Sequence, residues 1–399
     1  MPAGEPSKFG EFDSEMGLWQ LGGGPQSVTF FPGVGFGKRM DEVRHAISHI
    51  RLHWDQYPQF MGELRTFLGK VPEPSVRSLE EREGVPEHSA RSREFEAYWE
   101  DGRSRVEALL SSRKEWPELR DGPGNDDYSA IRLYTSIYGY LRMFGAMNVA
   151  FRRLDITRDP VEIRAVTFLV ELLNIDLYGY IRANPRADNF EGRVYRGMRL
   201  SSKGVADYAR AAANEDFGER YMAVPLSMMS ASVTRSKSLA FARRTDKTPA
   251  DSHALLLDVS VYSLDPALLE AYRQAFPESI VTSLCSVPIH RLSDLPEDEV
   301  LLRGPFFQIM RMYRDEDSLR DEPLHVVQAI MLNSNRDHVT AVATNTGKDK
   351  HMRDIFRVMV SASRSTRCAE HADTYGLAAD SDKYRDMAAQ AYAYFSANI

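Results

Sequence analysis

Three short segments of the chain carry side chains whose types and spacing suit chemistry. In Val194-Tyr195-Arg196-Gly197-Met198 a β-like run delivers an arginine followed at once by a glycine. A guanidinium so placed suits a bidentate grip on phosphate, and the missing Cβ of Gly197 lets a ligand approach the backbone. Leu226 to Ser232 reads as a strand end, and Ser238-Leu239-Ala240-Phe241-Ala242 as the helix that follows it. Ser230 and Ser232 stand two residues apart, so an extended backbone points both hydroxyls to one face. In Pro296-Glu297-Asp298-Glu299-Val300-Leu301-Leu302 two carboxylates lead directly into an apolar strand. The same period of two puts Glu297 and Glu299 on one side.

Other chemistries drop out. The run Gly33-Val34-Gly35-Phe36-Gly37-Lys38-Arg39 fails the phosphate-loop pattern twice, because Pro32 stands where the leading glycine belongs and Arg39 follows the lysine. It reads as a flexible entry loop. The 10 histidines include no HExxH, and no metal is expected. No GxSxG occurs, and Cys285 reads as a small, strand-embedded, buried hydrophobe. Cys285 and Cys368 are the only cysteines, which excludes a disulfide framework and points to a reducing compartment. A net charge of −7 lacks the basic excess that nucleic acid demands. No stretch approaches the roughly 18 uninterrupted apolar residues of a membrane span, and the first residues carry neither a basic nor an apolar signal region. No nucleic-acid or membrane partner is expected, and the location is expected to be cytoplasmic, or reached by export without a cleavable signal.

The elements that must position these residues follow from periodicity. A length of 399 residues suggests two or three domains, or one large domain with a helical attachment. Residues 1 to 38 read as an irregular entry. Helical spacing runs from Met40 to Leu68 with a break near Pro58, and again from about Ala90 to Trp116. The turn-rich 121–127 segment is the best boundary, with Asp126 or Asp127 placed to cap a helix whose face is Ile131, Tyr134, Tyr138 and Leu141. Another helix is expected over Pro160 to Arg182, with Ile163, Val166, Val170, Leu173 and Leu177 inward. Strand-like runs follow at Val194-Tyr195, Met222–Met229, Ala254–Tyr262, Val300–Leu302, Phe306–Met312 and His325–Met331, and the chain closes on a helical pair from Cys368 to Asn398. The expected division is an N-terminal irregular and helical region over 1–120, a catalytic domain over 121–315, and a C-terminal extension over 316–399 with a short β region and helices.

In order and spacing these segments resemble the arginine-directed mono-ADP-ribosyltransferases, whose fingerprint is an Arg on one strand, a Ser-x-Ser strand and a Glu-x-Glu pair. Tyr195-Arg196-Gly197, Ser230-Ala231-Ser232 and Glu297-Asp298-Glu299-Val300-Leu301-Leu302 carry the resemblance, with Leu133-Tyr134-Thr135 in the helix before them and the Ser232 to Phe241 spacing in support. It covers about residues 125 to 315. Ala231 replaces the usual Thr, Met228 stands where an aromatic is common, and Arg303-Gly304 replaces prolines. The resemblance implies an α+β fold: a split mixed β-sheet core with N-terminal helices and extra helical segments at both ends. It implies NAD as substrate, no metal, and an arginine of an acceptor protein as partner. Glu299 would stabilise the charge that develops on the ribose as nicotinamide leaves, and Glu297 would position the acceptor guanidinium. Arg196 would clamp the pyrophosphate or adjacent ribose, the Gly197 backbone would contact the nicotinamide amide, and Ser230 would orient Glu299. Ser232 and Tyr195 would be structural, and Leu295 would lie on an acceptor-facing turn. An NAD glycohydrolase and a catalytically silent binding module of the same fold remain as alternatives.

Overall fold

The computed structural model describes residues 46–47, 49–70, 90–115, 127–136, 138–139, 143, 147, 160–223, 228–244, 248, 250–293, 298–304, 306–320, 322–337 and 347–399. The expectations for residues 1–38, for the 121–126 turn, and for Leu141, Leu295 and Glu297 lie outside them.

The N-terminal half is helical. A short 3-10 turn, Trp54–Gln56, feeds α1 (Tyr57–Gly69), and Pro58 sits in the first turn of that helix, where its missing N–H costs nothing. α2 spans Ala90–Ser111 and α3 only Ser129–Tyr134. The expected long face is therefore interrupted rather than continuous: Thr135 caps α3, and Tyr138 and Gly139 are helical again just beyond, with the Gly139 N–H donated to the Ser136 hydroxyl at 2.9 Å. α4 (Pro160–Ala183) begins on its proline as expected, yet it is buried on every side from Ala165 to Tyr180. A helix enclosed all round must pair the charged residues it carries. Glu171 takes Arg51 at 2.8 Å, Asn174 donates to Glu171 at 3.1 Å, and Asp176 meets Lys114.

The C-terminal half holds ten strands among the described residues: β1 (Gly192–Leu200), β2 (Tyr221–Ala223), β3 (Met228–Ser232), β4 (His253–Tyr262), β5 (Ile280–Thr282), β6 (Ser286–Pro288), β7 (Glu299–Arg303), β8 (Phe306–Asp315), β9 (Leu324–Leu332) and β10 (Asn335–Asp337). Eight of them form one sheet in the order β2-β8-β9-β4-β1-β3-β7-β6, and β10 pairs with β5 separately. β4 and β9 are parallel and the other pairs antiparallel, which makes the sheet mixed and the fold α+β. The single run expected over Met222–Met229 is two strands, because β2 pairs with β8 and β3 with β7. Cys285 lies in the turn before β6 rather than within a strand; it is buried there, with its thiol on the Ser334 carbonyl.

Helices α5 (Ser202–Ala212), α6 (Arg235–Ala242) and α7 (Pro266–Ala275) connect the strands, and α8 (Gly347–Thr374) and α9 (Ala378–Asn398) close the chain. Gly376, at φ 70°, lets the backbone turn between these last two, and the Leu377 N–H returns to the Ala372 carbonyl at 2.8 Å. The sheet does not stop at residue 315, since β9 lies between β8 and β4. Nor does the core divide at residue 120: one apolar cluster holds Phe60 and Leu64 of α1, Leu109 of α2, Phe168 and Leu172 of α4, and Phe356 and Met359 of α8. Among the described residues no helix is long and apolar enough to cross a membrane, and no group of three or more His, Cys, Asp or Glu is placed to hold a metal ion.

Candidate active site at the seam of the sheet

The eight-stranded sheet is two sheets joined at one point. β1 pairs with β4 along its whole length, and β3 pairs with β7 along its whole length, but β1 and β3 share a single pair, Tyr195 opposite Ser232. Side chains next to that joint come from separate halves, β2-β8-β9-β4-β1 on one side and β3-β7-β6 on the other.

Arg196 is the residue of β1 just past the joint. Its Nη1 donates to the backbone carbonyl of Ser230, on β3, at 2.6 Å and so spans the seam. Ser232 stands opposite Glu299 and Ser230 opposite Leu301, which makes Ser230 and Glu299 diagonal neighbours on one face of the β3–β7 pair. The Ser230 hydroxyl donates to the Glu299 carboxylate. Glu299 is only 7% exposed, and burial raises its carboxyl above the ordinary value. Hydrogen bonds from Ser230 and Ser293 and the nearby charge of Arg196 oppose that rise. Arg196, Ser230 and Glu299 are thus brought together although Arg196 and Glu299 lie more than a hundred residues apart in the chain.

Gly197 has a second reason to be glycine. A Cβ built there would stand 1.7 Å from the Ser238 carbonyl oxygen and 2.7 Å from its carbon, so α6 lies directly on the backbone of β1. Close approach was expected from a ligand; the structure fills that face with a helix backbone. The Ser238 hydroxyl strengthens the contact by donating to the Tyr195 carbonyl at 2.8 Å. Ser232 ends its strand by accepting the Thr234 N–H at 3.0 Å.

The shared side expected for Glu297 and Glu299 rests on an extended backbone, and that condition does not hold at Asp298. Asp298 has φ 50°, in the left-handed region, and β7 begins only at Glu299. Its carbonyl accepts the Val233 N–H at 3.2 Å and its carboxylate the Thr234 hydroxyl at 3.0 Å. The residue between the two glutamates therefore fastens the turn to the start of α6. Asp tolerates the left-handed region, so its place here is a local signal that the chain leaves the extended conformation at this residue.

Two contributors were not legible as such. The Tyr134 hydroxyl, fully buried, donates to the Met228 carbonyl and lies close enough to feel the charges of both Arg196 and Glu299. Leu133-Tyr134-Thr135 is part of the resemblance, but nothing in three consecutive residues says which carbonyl the tyrosine will reach. The Ser293 hydroxyl donates to Glu299 Oε2. A lone serine in Arg291-Leu292-Ser293-Asp294 has no periodic or spacing signature.

Chemically, a buried carboxylate held by hydroxyl donors is able to accept a hydrogen bond from a ligand hydroxyl and to stabilise positive charge forming beside it. A guanidinium beside it supplies an anchor for phosphate.

No protein-family model matches the chain, and no curated protein matches its sequence. Solved structures similar in shape include the Vis toxin, an ADP-ribosyltransferase from Vibrio splendidus, at 14% identity over 61% of this chain and 88% of that one, with a TM-score of 0.32. The Plx2a ADP-ribosyltransferase toxin from Paenibacillus larvae is 13% identical over 57% of this chain and 96% of its own, with a TM-score of 0.33. The type III effector XopAI from Xanthomonas axonopodis pv. citri is 12% identical over 74% and 93%, with a TM-score of 0.31. Likenesses at this level assign no role to any residue of this chain.

Proposed function

We propose that the chain is an NAD-dependent mono-ADP-ribosyltransferase that moves ADP-ribose from NAD to arginine side chains of an acceptor protein and releases nicotinamide. The observation that carries this reading is the Glu299 carboxylate, buried at the seam with the Ser230 hydroxyl on it and the Arg196 guanidinium beside it. These are the three residue types of the Arg, Ser and Glu fingerprint, contributed by three strands.

In the reaction, the bond between the ribose carbon and the nicotinamide nitrogen breaks and its electron pair leaves with nicotinamide. Positive charge builds on the ribose, and Glu299 stabilises it while holding a ribose hydroxyl. Arg196 grips the pyrophosphate or adjacent ribose, Gly197 offers its backbone to the nicotinamide amide, and Ser230 keeps the Glu299 carboxylate aimed. An acceptor guanidinium nitrogen then bonds to the ribose carbon. With a pKa above about 12, that guanidinium must lose a proton as it attacks, and Glu297 is assigned to position it and assist the loss.

The test is incubation with labelled NAD and a mixed protein extract, followed by chemical probing of the linkage. Label held through arginine supports the transferase; nicotinamide release without labelled protein makes the enzyme a glycohydrolase; neither event leaves a binding module. Glu297→Gln sharpens the division: arginine labelling is expected to fall by about 100-fold or more while much of the NAD hydrolysis survives, since water needs no carboxylate to place it. A parallel fall in both would show that Glu297 acts on NAD itself.

A further inference from the structure

The Glu299 carboxylate is held from two directions. Ser230 reaches it from β3, and Ser293 reaches it from the turn that follows β6. That turn is built to keep Ser293 in place. The N–H groups of Leu292 and Ser293 both return to the Ile289 carbonyl, at 2.8 and 3.2 Å, and the Ile289 N–H binds the carbonyl of Glu299 itself at 2.9 Å. Ile289 and Leu292 are buried in the main apolar cluster, so the segment that leads into the serine is anchored. The backbone of Glu299 thus fixes the turn whose hydroxyl returns to the Glu299 side chain.

We propose that Ser293 is a positioning residue for Glu299, fixing with Ser230 the orientation of the carboxylate toward the ligand. The inference rests on the transferase reading of the site. The terminal torsion of a glutamate is broad, and one donor leaves it free to swing; two donors on separate elements define it. The same two bonds favour the charged form against burial. Among the described residues, the groups that face the carboxylate are Ser230 from β3, Ser293 from the turn, Arg196 from β1 and Tyr134 from α3. The Tyr134 hydroxyl is directed to the Met228 carbonyl. Ser293 is therefore the donor whose loss leaves Ser230 and the Arg196 charge to hold Glu299 ionised.

The experiment compares the full chain with Ser293→Ala and Ser293→Thr by two readouts. The first is nicotinamide release as a function of pH. Ser293→Ala is expected to lower kcat by about tenfold, to leave the KM for NAD within about twofold, and to move the acid limb of the profile to higher pH, because removing a donor to the charged form makes the proton harder to lose. Ser293→Thr, which keeps the hydroxyl, is expected to restore both. The second readout is the titration of the Glu299 carboxyl followed by NMR in glutamate-labelled protein, assigned with Glu299→Gln. It is expected to move to higher pH in Ser293→Ala whether or not NAD is cleaved. Protein that never cleaves NAD yet shows the moved titration would sink the transferase reading and keep the clamp. An unmoved titration, or equal kcat and pH profile in all three proteins, would overturn the clamp. If Ser293→Ala fails to fold, Ser293→Cys replaces it, with a weaker donor and the same direction expected.

Discussion

Two buried networks with opposite charges lie in this molecule, one in the helical half and one at the seam of the sheet, and they are wired differently. In the helical half the Lys114 ammonium, with 0% of its side chain exposed, contacts Asp176 directly and Asp127 at 2.8 Å. Asp176 Oδ2 accepts the Ala130 and Ile131 N–H groups at 2.8 and 3.1 Å, and Asp127 accepts that of Ser129 at 2.9 Å. The carboxylates thereby satisfy the first N–H groups of α3, which have no partner within the helix. At the seam, by contrast, the Glu299 carboxylate takes hydroxyls, and Arg196 reaches a backbone carbonyl. A direct buried ion pair is expensive to open, so the first arrangement fixes structure. A hydroxyl contact is exchanged for a ligand hydroxyl at little cost, so the second leaves its carboxylate available for chemistry.

The largest expected effect breaks the first network. Lys114→Met leaves the wholly buried Asp176 without its cation and is expected to cost about 3–5 kcal/mol of stability by denaturant unfolding. Burial already pushes Asp176 up to about 6, and losing Lys114 moves it further in that direction. A carboxyl raised in the folded state contributes stability that is present at low pH and lost as pH rises through the folded value. The deficit of this variant is therefore expected to be greater at pH 8 than at pH 5. A loss below about 1 kcal/mol would mean that the two networks are equivalent.

Next, Glu299→Gln is expected to lower nicotinamide release by about 100- to 1,000-fold with no loss of unfolding temperature. The sign follows from the raised carboxyl of Glu299: its charged form weighs against the fold above the unfolded value, and glutamine removes that charge. Retention of half the activity, or a fall in unfolding temperature like that of Lys114→Met, would make Glu299 structural. Gly197→Ala comes third. Its Cβ meets backbone and not a flexible side chain, so α6 must move off β1, at a cost of about 1–3 kcal/mol in thermal or denaturant unfolding. Unchanged stability would show that α6 yields freely and that the glycine serves only a ligand. Smallest is Arg196→Lys, which keeps the charge and loses the planar fork; NAD affinity by calorimetry is expected to weaken by about tenfold. Unaltered affinity would assign Arg196 to holding the seam through Ser230.

Much of this was written in local pattern. Pro160 and the apolar spacing after it announce α4, the short apolar runs with their flanking turn residues announce β1, β4, β7 and β8, and the order Arg196, Ser230, Glu299 names the residues that meet at the seam. These features are legible because periodicity and turn chemistry act over a few residues and are repeated along the chain. What tertiary structure alone decided involves partners that no local period encodes. Ser293 reaches Glu299 through a turn closed by backbone bonds, Gly197 answers to a helix some forty residues later, and Lys114 finds Asp176 on a helix that is buried on all sides. β9 enters the middle of the sheet beside β4 because a parallel partner needs a long crossover, which sequence spacing leaves free to land at any edge or gap. The left-handed Asp298 marks the limit most sharply: two glutamates spaced by one residue share a side only while the residue between them stays extended, and its contacts with Val233 and Thr234, made across the fold, bend the chain there instead.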